Sequence, residues 1–171
     1  MLTSLYNKSQ ILHYLQKYGW NEKRNIDTSQ IKKVYEHFFD NYETTDYSTF
    51  IFTPYPPFQK VLDFWSSFGD LTIDFIGQNG SKNYIVINSE AVLNGGFHSI
   101  IQTGLYYKKQ FFPVAMVEAV PCFICIDNEG FFYGINYCGG VNRLSDDFLG
   151  VIDIFINNKT LPKWNYFPEI E

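Results

Sequence analysis

The sequence predicts an α+β fold: a mainly antiparallel sheet of about five or six strands, with N-terminal helices and a C-terminal helix packed around it. Apolar residues recur at helical spacing through the first third of the chain. From Leu71 the period changes to two, and short apolar runs separated by turn residues continue to Tyr137. We expect a single domain over residues 1–171, with a core from about 5 to 157 and a tail over 158–171.

Three amphipathic helices are predicted before the sheet. Gly19 stands where the first helix needs a left-handed cap, and Asp27 or Thr28 caps the second. Gly69 closes the third helix, and Pro54-Tyr55-Pro56-Pro57 excludes helix between the second and the third. The apolar positions at helical spacing are Leu5, Ile11, Leu12, Leu15 and Tyr18, then Ile31, Val34, Tyr35 and Phe38, then Phe58, Val61, Leu62, Trp65 and Phe68.

A β-hairpin is predicted directly after the third helix. Leu71–Phe75 alternates apolar and polar residues, as a half-buried strand does, and Tyr84–Ile87 is the returning strand. Asn79-Gly80 between them is a strong signal for a tight turn. After the interruption at Gly95-Gly96, Phe97–Lys109 is predicted as a helix.

The C-terminal part of the chain is predicted to add strands and then a final helix. The strands are Phe112–Val117, Cys122–Asp127 and Phe131–Tyr137. Ser145 or Asp146 caps the final helix. Trp164 and Phe167 are candidate anchors of the tail. The apolar face of the final helix comprises Phe148, Val151, Ile152, Phe155 and Ile156.

Composition and charge exclude several classes of function. The formal net charge of −5 and the absence of basic clusters argue against nucleic-acid binding. No signal peptide and no stretch long enough for a membrane span is visible. Three cysteines suit a reducing compartment better than a disulfide scaffold. We therefore expect a cytoplasmic protein that binds neither nucleic acid nor membrane.

No arrangement of residues in the sequence specifies a reaction or a cofactor. Cys122 and Cys125 have the spacing of a zinc or redox pair, but in a strand residues three apart point to opposite faces. His13, His37 and His98 have no neighbouring acid or nucleophile that would mark a catalytic base. The sequence therefore predicts a protein that is not an enzyme and that holds no metal or cofactor.

One segment combines acidic and aromatic side chains and is our candidate for part of a partner-binding surface. Carboxylates steer a basic partner, while aromatic rings supply anchors. The alternative is an ordinary loop packed on the domain. The candidate residues are Asp40, Tyr42, Glu43, Asp46, Tyr47, Phe50 and Phe52.

Several short segments resemble the SUKH-3 family, in that family's order. Gly19-Trp20-Asn21-Glu22-Lys23-Arg24-Asn25-Ile26-Asp27 is similar to its Gly-Trp-x-x-x-Arg-x-Val-Asp opening, and Phe68-Gly69-Asp70-Leu71 to its Phe-Gly-Gly-Leu. Phe112-Pro113-Val114-Ala115 and the strand-turn-strand Ile126–Tyr133 resemble later segments. Asp70 and Ala115 replace usual glycines, and Asn88-Ser89 replaces an expected Asp-Pro. The motif residues, which we expect to be structural, are Gly19, Trp20, Arg24, Asp27, Gly69, Leu71, Pro113, Asp127, Gly130 and Tyr133.

The resemblance implies an immunity protein of a bacterial polymorphic toxin system. Such a protein neutralises a partner toxin, for example a nuclease, by direct protein–protein binding, and the toxin is encoded nearby. Two other readings stay open. One is a regulatory or scaffolding module, as in related SUKH domains of cell-wall signalling. The other is a small-molecule-binding protein or an unrecognised enzyme.

Overall fold

The computed structural model describes residues 7–43, 55–93, 97–118, 122–161 and 163–166; for residues 38–43, 93, 97 and 98 it describes the backbone alone. None of the described helices is long and apolar enough to cross a membrane. The elements are α1 (Lys8–Gln16), α2 (Ser29–Glu43), α3 (Gln59–Phe68), β1 (Leu71–Ile76), β2 (Lys82–Ile87), α4 (Ser89–Leu93), α5 (Phe97–Tyr107), β3 (Phe111–Val117), β4 (Cys122–Asp127), β5 (Phe132–Asn136), β6 (Val141–Ser145) and α6 (Phe148–Ile156).

The six strands form one antiparallel sheet in which each strand pairs with the next along the chain, in the order β1-β2-β3-β4-β5-β6. A register shift between Pro113 and Ala115 marks a bulge in β3, where proline lacks the N–H that a regular ladder uses. The predicted α+β fold with a mainly antiparallel sheet is confirmed.

One face of the sheet packs against α6 and α3. Ring contacts join Phe75 of β1 to Phe155 of α6, and Phe132 of β5 to Phe148 of α6. Phe64 of α3 packs edge-on against Phe148 and also contacts Phe132. We call this the α6 face. Its aromatic contacts hold both ends of α6, and also α3, against the sheet.

The opposite face packs against α5 and α4, and we call it the α5 face. Phe111 of β3 and Tyr133 of β5 lie here with ring centroids 5.1 Å apart. The Ser99 hydroxyl at the start of α5 donates to the carbonyl oxygen of Tyr137. Further along α5, Gly104 lies over Phe111, where any added Cβ would come within 2.8 Å of the Lys109 carbonyl oxygen. Both faces of the central strand β4 are therefore buried, as its apolar run indicates.

The C-terminal end of α1 and the N-terminal end of α2 lie where the sequence predicts them. The N–H groups of Trp20 and Gly19 donate to the carbonyl oxygens of Leu15 and Gln16, and Gly19 has φ +87°. This is a Schellman cap. At the start of α2, the Asp27 carboxylate accepts hydrogen bonds from the N–H and the hydroxyl of Ser29, which lower the pKa of Asp27.

The predicted cap of the final helix is wrong by one or two residues. Asp147, not Ser145 or Asp146, is the N-cap of α6, and its carboxylate accepts the N–H of Gly150 at 2.8 Å. Asp146 instead pairs with Arg143. Ser145, Asp146 and Asp147 are all residue types that cap helices, so the sequence signal does not separate them.

Two elements have no counterpart in the prediction. They are the short helix α4 and the edge strand β6. In β6, Asn142, Arg143 and Ser145 interrupt the apolar pattern. The tail pairs with β6 through Asn165, which exchanges two backbone hydrogen bonds with Val141.

The tail is anchored as predicted at one of its two candidate positions. The ring of Trp164 lies over Gly134, where an added Cβ would come within 3.4 Å of it, and also packs against the core. Phe167, the other candidate anchor, lies outside the described residues.

Candidate partner-binding surface

The acidic, aromatic segment falls at the end of α2 and beyond it. Asp40, Tyr42 and Glu43 belong to the last two turns of that helix, where the backbone is described. The other four candidate residues, Asp46, Tyr47, Phe50 and Phe52, lie outside the described residues. The prediction that these residues contact a partner therefore stays a prediction.

Two short segments of the chain carry acidic residues and no Lys or Arg. The sequence has 13 Lys and Arg and 18 Asp and Glu. Five of the acidic residues are Asp40, Glu43 and Asp46, with Glu169 and Glu171 at the C-terminus.

The chain on either side of residues 44–54 is held by the core. On the N-terminal side, Ile31 and Val34 of α2 are buried. On the C-terminal side, Tyr55 is buried, its hydroxyl donates to the Phe111 carbonyl oxygen at 2.6 Å, and its ring stacks on Phe58. Burial raises the pKa of Tyr55, so the hydroxyl stays protonated as a donor. Buried residues of the core thus precede and follow the candidate segment in the sequence, at Val34 and Tyr55.

A second surface feature lies at one end of the sheet. Because β1 and β5 run in the same direction in this meander, their C-terminal ends lie at the same end. Ile76, which ends β1, and Tyr137, which follows β5, are 54% and 43% exposed. Tyr166 is 53% exposed and its hydroxyl accepts a hydrogen bond from Asn136 at 3.2 Å. Three of the four exposed large hydrophobic side chains found in the described residues thus share one end; the fourth, Tyr106, lies near the C-terminal end of α5.

Sequence reasoning missed Tyr137 and Tyr166 as candidate surface residues. Tyr137 directly precedes Cys138-Gly139-Gly140. Its position beside a glycine-rich turn is the sequence feature that could have identified it as an exposed residue. The exposure of Tyr166 depends on the pairing of the tail with β6, which no local pattern predicts.

Among the motif residues, Arg24 joins the ends of two helices. Its guanidinium donates to the carbonyl oxygen of Gly69 after α3 at 2.7 Å, and to that of Gly19 after α1 at 3.4 Å. A cation at these positions also complements the negative ends of both helix dipoles. The ring of Trp20 is half-buried and stacks on Phe68, with ring planes 13° apart.

Gly69 lies where there is no room for a Cβ, and Asp70 has the left-handed backbone conformation. A Cβ on Gly69 would lie 2.5 Å from the side chain of Ile26 and 2.7 Å from the carbonyl oxygen of Trp65, so no side chain fits there. Gly69 has φ −54°, while Asp70 has φ +58°. The left-handed residue is thus Asp70, at a position where the family resemblance implies glycine. Leu71, next in the chain, is buried.

Asp127 organises the turn between β4 and β5. Its side chain is fully buried and accepts hydrogen bonds from the N–H groups of Glu129 and Phe131 and from the Lys109 ammonium at 2.6 Å. Burial alone lowers the pKa of Lys109, but the hydrogen bond and charge of Asp127 outweigh it and raise that pKa. Gly130 has φ +90° in this turn. The Lys109 ammonium also lies over the ring of Tyr133.

The two strand cysteines are buried on opposite faces of the sheet. Cys122 lies opposite Asn136, and Cys125 lies opposite Pro113 and Tyr133. Burial raises the pKa of the Cys122 thiol to about 12 and that of Cys125 well above its ordinary value. These thiols are therefore inert at neutral pH. The part of the chain that the structure describes contains no group of three or more His, Cys, Asp or Glu side chains that could hold a metal ion.

A groove of about 410 Å³ lies between the β1–β2 turn and the end of α6. Its polar lining includes the carboxamides of Gln78, Asn79 and Asn158. Lys159 also lines it, but its ammonium pairs with the buried carboxylate of Asp153. Carboxamides do not titrate near neutral pH and a paired ammonium is a poor base, so this lining does not form an acid–base pair.

A six-stranded antiparallel meander with helices on both faces defines an α+β domain. Residues 7–158 match the family model of the SUKH-3 immunity protein, and the chain belongs to that family. Comparisons with curated proteins and with solved structures gave no significant match.

Proposed function

We propose that this protein neutralises a partner toxin by binding it directly, without turning over any substrate. The single observation that carries the proposal is the match to the SUKH-3 immunity protein family over residues 7–158. The proposal places the protein in the cytoplasm of the bacterium that produces the toxin, with the toxin encoded nearby.

The composition of the Asp40–Phe52 segment supports a basic partner. Asp40, Glu43 and Asp46 lie in a segment that also carries Tyr42, Tyr47, Phe50 and Phe52, and no Lys or Arg occurs between Lys33 and Lys60. Aromatic side chains at such a position supply the buried anchors of an interface, while the carboxylates accelerate association. A nuclease has the basic surface that this segment fits, because it must bind phosphate.

The test of function is to express the toxin domain of the neighbouring gene with and without this protein. We expect growth to be rescued and a stoichiometric complex to form at micromolar concentrations. Because attraction between charges is screened by salt, raising the salt concentration should slow association far more than it speeds dissociation. Persistent toxicity together with the absence of a complex would show that this partner is not neutralised.

A charge variant tests the proposed segment. In Asp40→Asn/Glu43→Gln/Asp46→Asn we expect association with the toxin domain to slow at least tenfold at low salt, and to lose most of its salt dependence. The control is Glu36→Gln, which removes an exposed charge from the same helix, where Glu36 pairs with Lys32. Equal effects of the triple variant and the control would contradict a role for this segment.

A further inference from the structure

The strand β1 lies at an edge of the sheet and directs part of its backbone away from the sheet. Among the described strands, β2 alone pairs with it. The N–H of Glu118 donates to the carbonyl oxygen of Tyr84, so the backbone of Tyr84 points toward β3. Asp74 lies directly opposite Tyr84 and therefore points its own N–H and C=O away from β2.

The same alternation applies two residues away on either side of Asp74. Thr72 and Ile76 also direct their backbone N–H and C=O groups outward, and both residues are exposed. Within the described residues, no other backbone group bonds to these outward groups. A row of this kind is a template on which a further strand can pair. Ile76 adds an exposed apolar side chain to that template.

Two tyrosines of the N-terminal region reach this edge at Asp74. They are Tyr14 in α1 and Tyr18 one turn further along the chain, with ring centroids 5.4 Å apart. The Tyr14 hydroxyl donates to the Asp74 carbonyl oxygen, and the Tyr18 hydroxyl donates to the Asp74 carboxylate. The ammonium of Lys82 pairs with the same carboxylate at 2.5 Å. The central outward carbonyl of β1 is thus bonded to a side chain instead of to a strand.

The position of these contacts places the tyrosines across the outer side of β1. The helix α1 packs against α6, which lies on the α6 face. Phe75 points its ring to α6, so the neighbouring Asp74 points its carboxylate to the α5 face. Tyr18 therefore reaches that carboxylate past the edge, where an added strand would lie about 4.8 Å from β1. Burial, and then the charge of Asp74, raise the pKa of Tyr14, so its hydroxyl stays protonated as a donor.

We propose that α1 and Tyr18 cover the β1 edge and prevent it from pairing with the same edge of a second copy of the chain. Antiparallel pairing of β1 with its own copy is symmetric and closed, and it would join two six-stranded sheets into one. Repulsion between the copies is small, because Lys82 neutralises Asp74 and the other outward residues, Thr72 and Ile76, are uncharged. The cover acts whether or not the protein binds a toxin.

Removal of the two rings tests the cover. In Tyr14→Ala/Tyr18→Ala we expect self-association, with a dimer Kd lower than that of the native protein by about tenfold or more, since several backbone hydrogen bonds form at once. Sedimentation velocity at increasing concentrations measures the Kd, and circular dichroism verifies that the variant is folded. A folded variant that is as monomeric as the native protein would overturn the proposal. If the double variant fails to fold, Tyr18→Ala alone decides the question by the same criterion.

A proline at the edge separates strand pairing from non-specific aggregation. The N–H of Ile76 points outward, so Ile76→Pro removes a donor for an added strand and leaves the pairing with β2 intact. Combined with Tyr14→Ala/Tyr18→Ala, it should return the dimer Kd to the native value. Ile76→Val keeps the N–H, so as the matched control it should leave the association unchanged. Association that persists with Ile76→Pro would refute pairing at β1.

A strand of the toxin is the competing occupant of this edge. In that case Tyr14→Ala/Tyr18→Ala would stay monomeric and bind the toxin domain more tightly than the native protein does, and Ile76→Pro would reverse the gain. These results together would overturn the assignment to a second copy. Self-association of the variant with an unchanged affinity for the toxin domain, measured below the dimer Kd, supports that assignment.

Discussion

At the scale of single residues, Arg24 shows how one side chain fixes the relation between two helices. Each helix ends with carbonyl oxygens that have no partner within the helix. The guanidinium of Arg24 satisfies one oxygen beyond α1, at Gly19, and one beyond α3, at Gly69. A flat group with several donors suits this geometry, and a lysine ammonium on a flexible stem does not.

We expect Arg24→Lys to lower the free energy of unfolding by about 1.5–3 kcal/mol, the range for hydrogen bonds to a charged group. Arg24→Ala should cost at least as much. The neighbouring exposed Lys23→Ala is the control and should change stability by less than about 0.5 kcal/mol. Denaturant unfolding measures all three. A stable Arg24→Lys variant would mean that charge alone is sufficient at this position.

Substitutions at the adjacent positions Gly69 and Asp70 should change the stability of the fold in opposite directions. Gly69→Ala should destabilise the fold by about 1–3 kcal/mol, because its Cβ collides with Ile26 and with the backbone of Trp65. Asp70→Gly should be neutral or stabilise by up to about 1 kcal/mol, because Asp70 has a left-handed backbone that glycine adopts without strain. Thermal unfolding distinguishes the two, and a loss of stability in Asp70→Gly would contradict the assignment.

At the scale of elements, the start of α6 depends on one of three adjacent polar residues. The Asp147 carboxylate accepts the N–H of Gly150. Close packing around Gly150 reinforces this start, since an added Cβ would lie 2.0 Å from the Ser145 hydroxyl oxygen. The helix that carries much of the apolar core therefore begins at a closely determined point.

We expect Asp147→Ala to cost about 1 kcal/mol of stability, the usual loss when a cap is removed. Asp146→Ala should change stability by less than about 0.5 kcal/mol, because the contact that the described residues show for Asp146 is an exposed ion pair with Arg143. The two free energies of unfolding, measured side by side, test the assignment. Equal losses of stability in the two variants would contradict the assignment of Asp147 as the N-cap of α6.

At the scale of the whole molecule, one connected core buries both cysteines of β4 and the hydroxyl of Tyr55. All three groups are acids whose pKa is raised in the folded protein, chiefly by burial. They keep their protons in the folded state at pH values where the unfolded chain has lost them. Unfolding then releases protons, so it becomes more favourable as the pH rises.

We therefore expect stability to be fully present below about pH 9 and to fall above it. For Cys122, whose pKa rises from 9.0 to about 12, the loss is about 1.4 kcal/mol per pH unit over that interval. Urea unfolding at pH 8, 9, 10 and 11 measures the slope. Cys122→Ala should reduce the slope, while Cys138→Ala, at the exposed turn, provides the comparison. Stability that is constant to pH 11 would contradict the burial of these groups.

Much of the fold follows from the sequence because its signals are local. Helical spacing of apolar residues predicts α1 and α3, Asn79-Gly80 predicts the first hairpin, and Gly19 predicts the left-handed end of α1. The composition of residues 40–52 identifies a candidate surface for the same reason, since charge and aromatic content are read directly from the chain.

The tertiary structure alone decided which of several suitable residues take each role. It places the cap of α6 at Asp147, the left-handed angle at Asp70 and the edge strand β6 in a segment with a weak apolar pattern. It also brings Tyr166 beside the turn that follows Asn136, through pairing of the tail with β6. These outcomes depend on contacts between residues far apart in the chain, whose energies no local pattern contains.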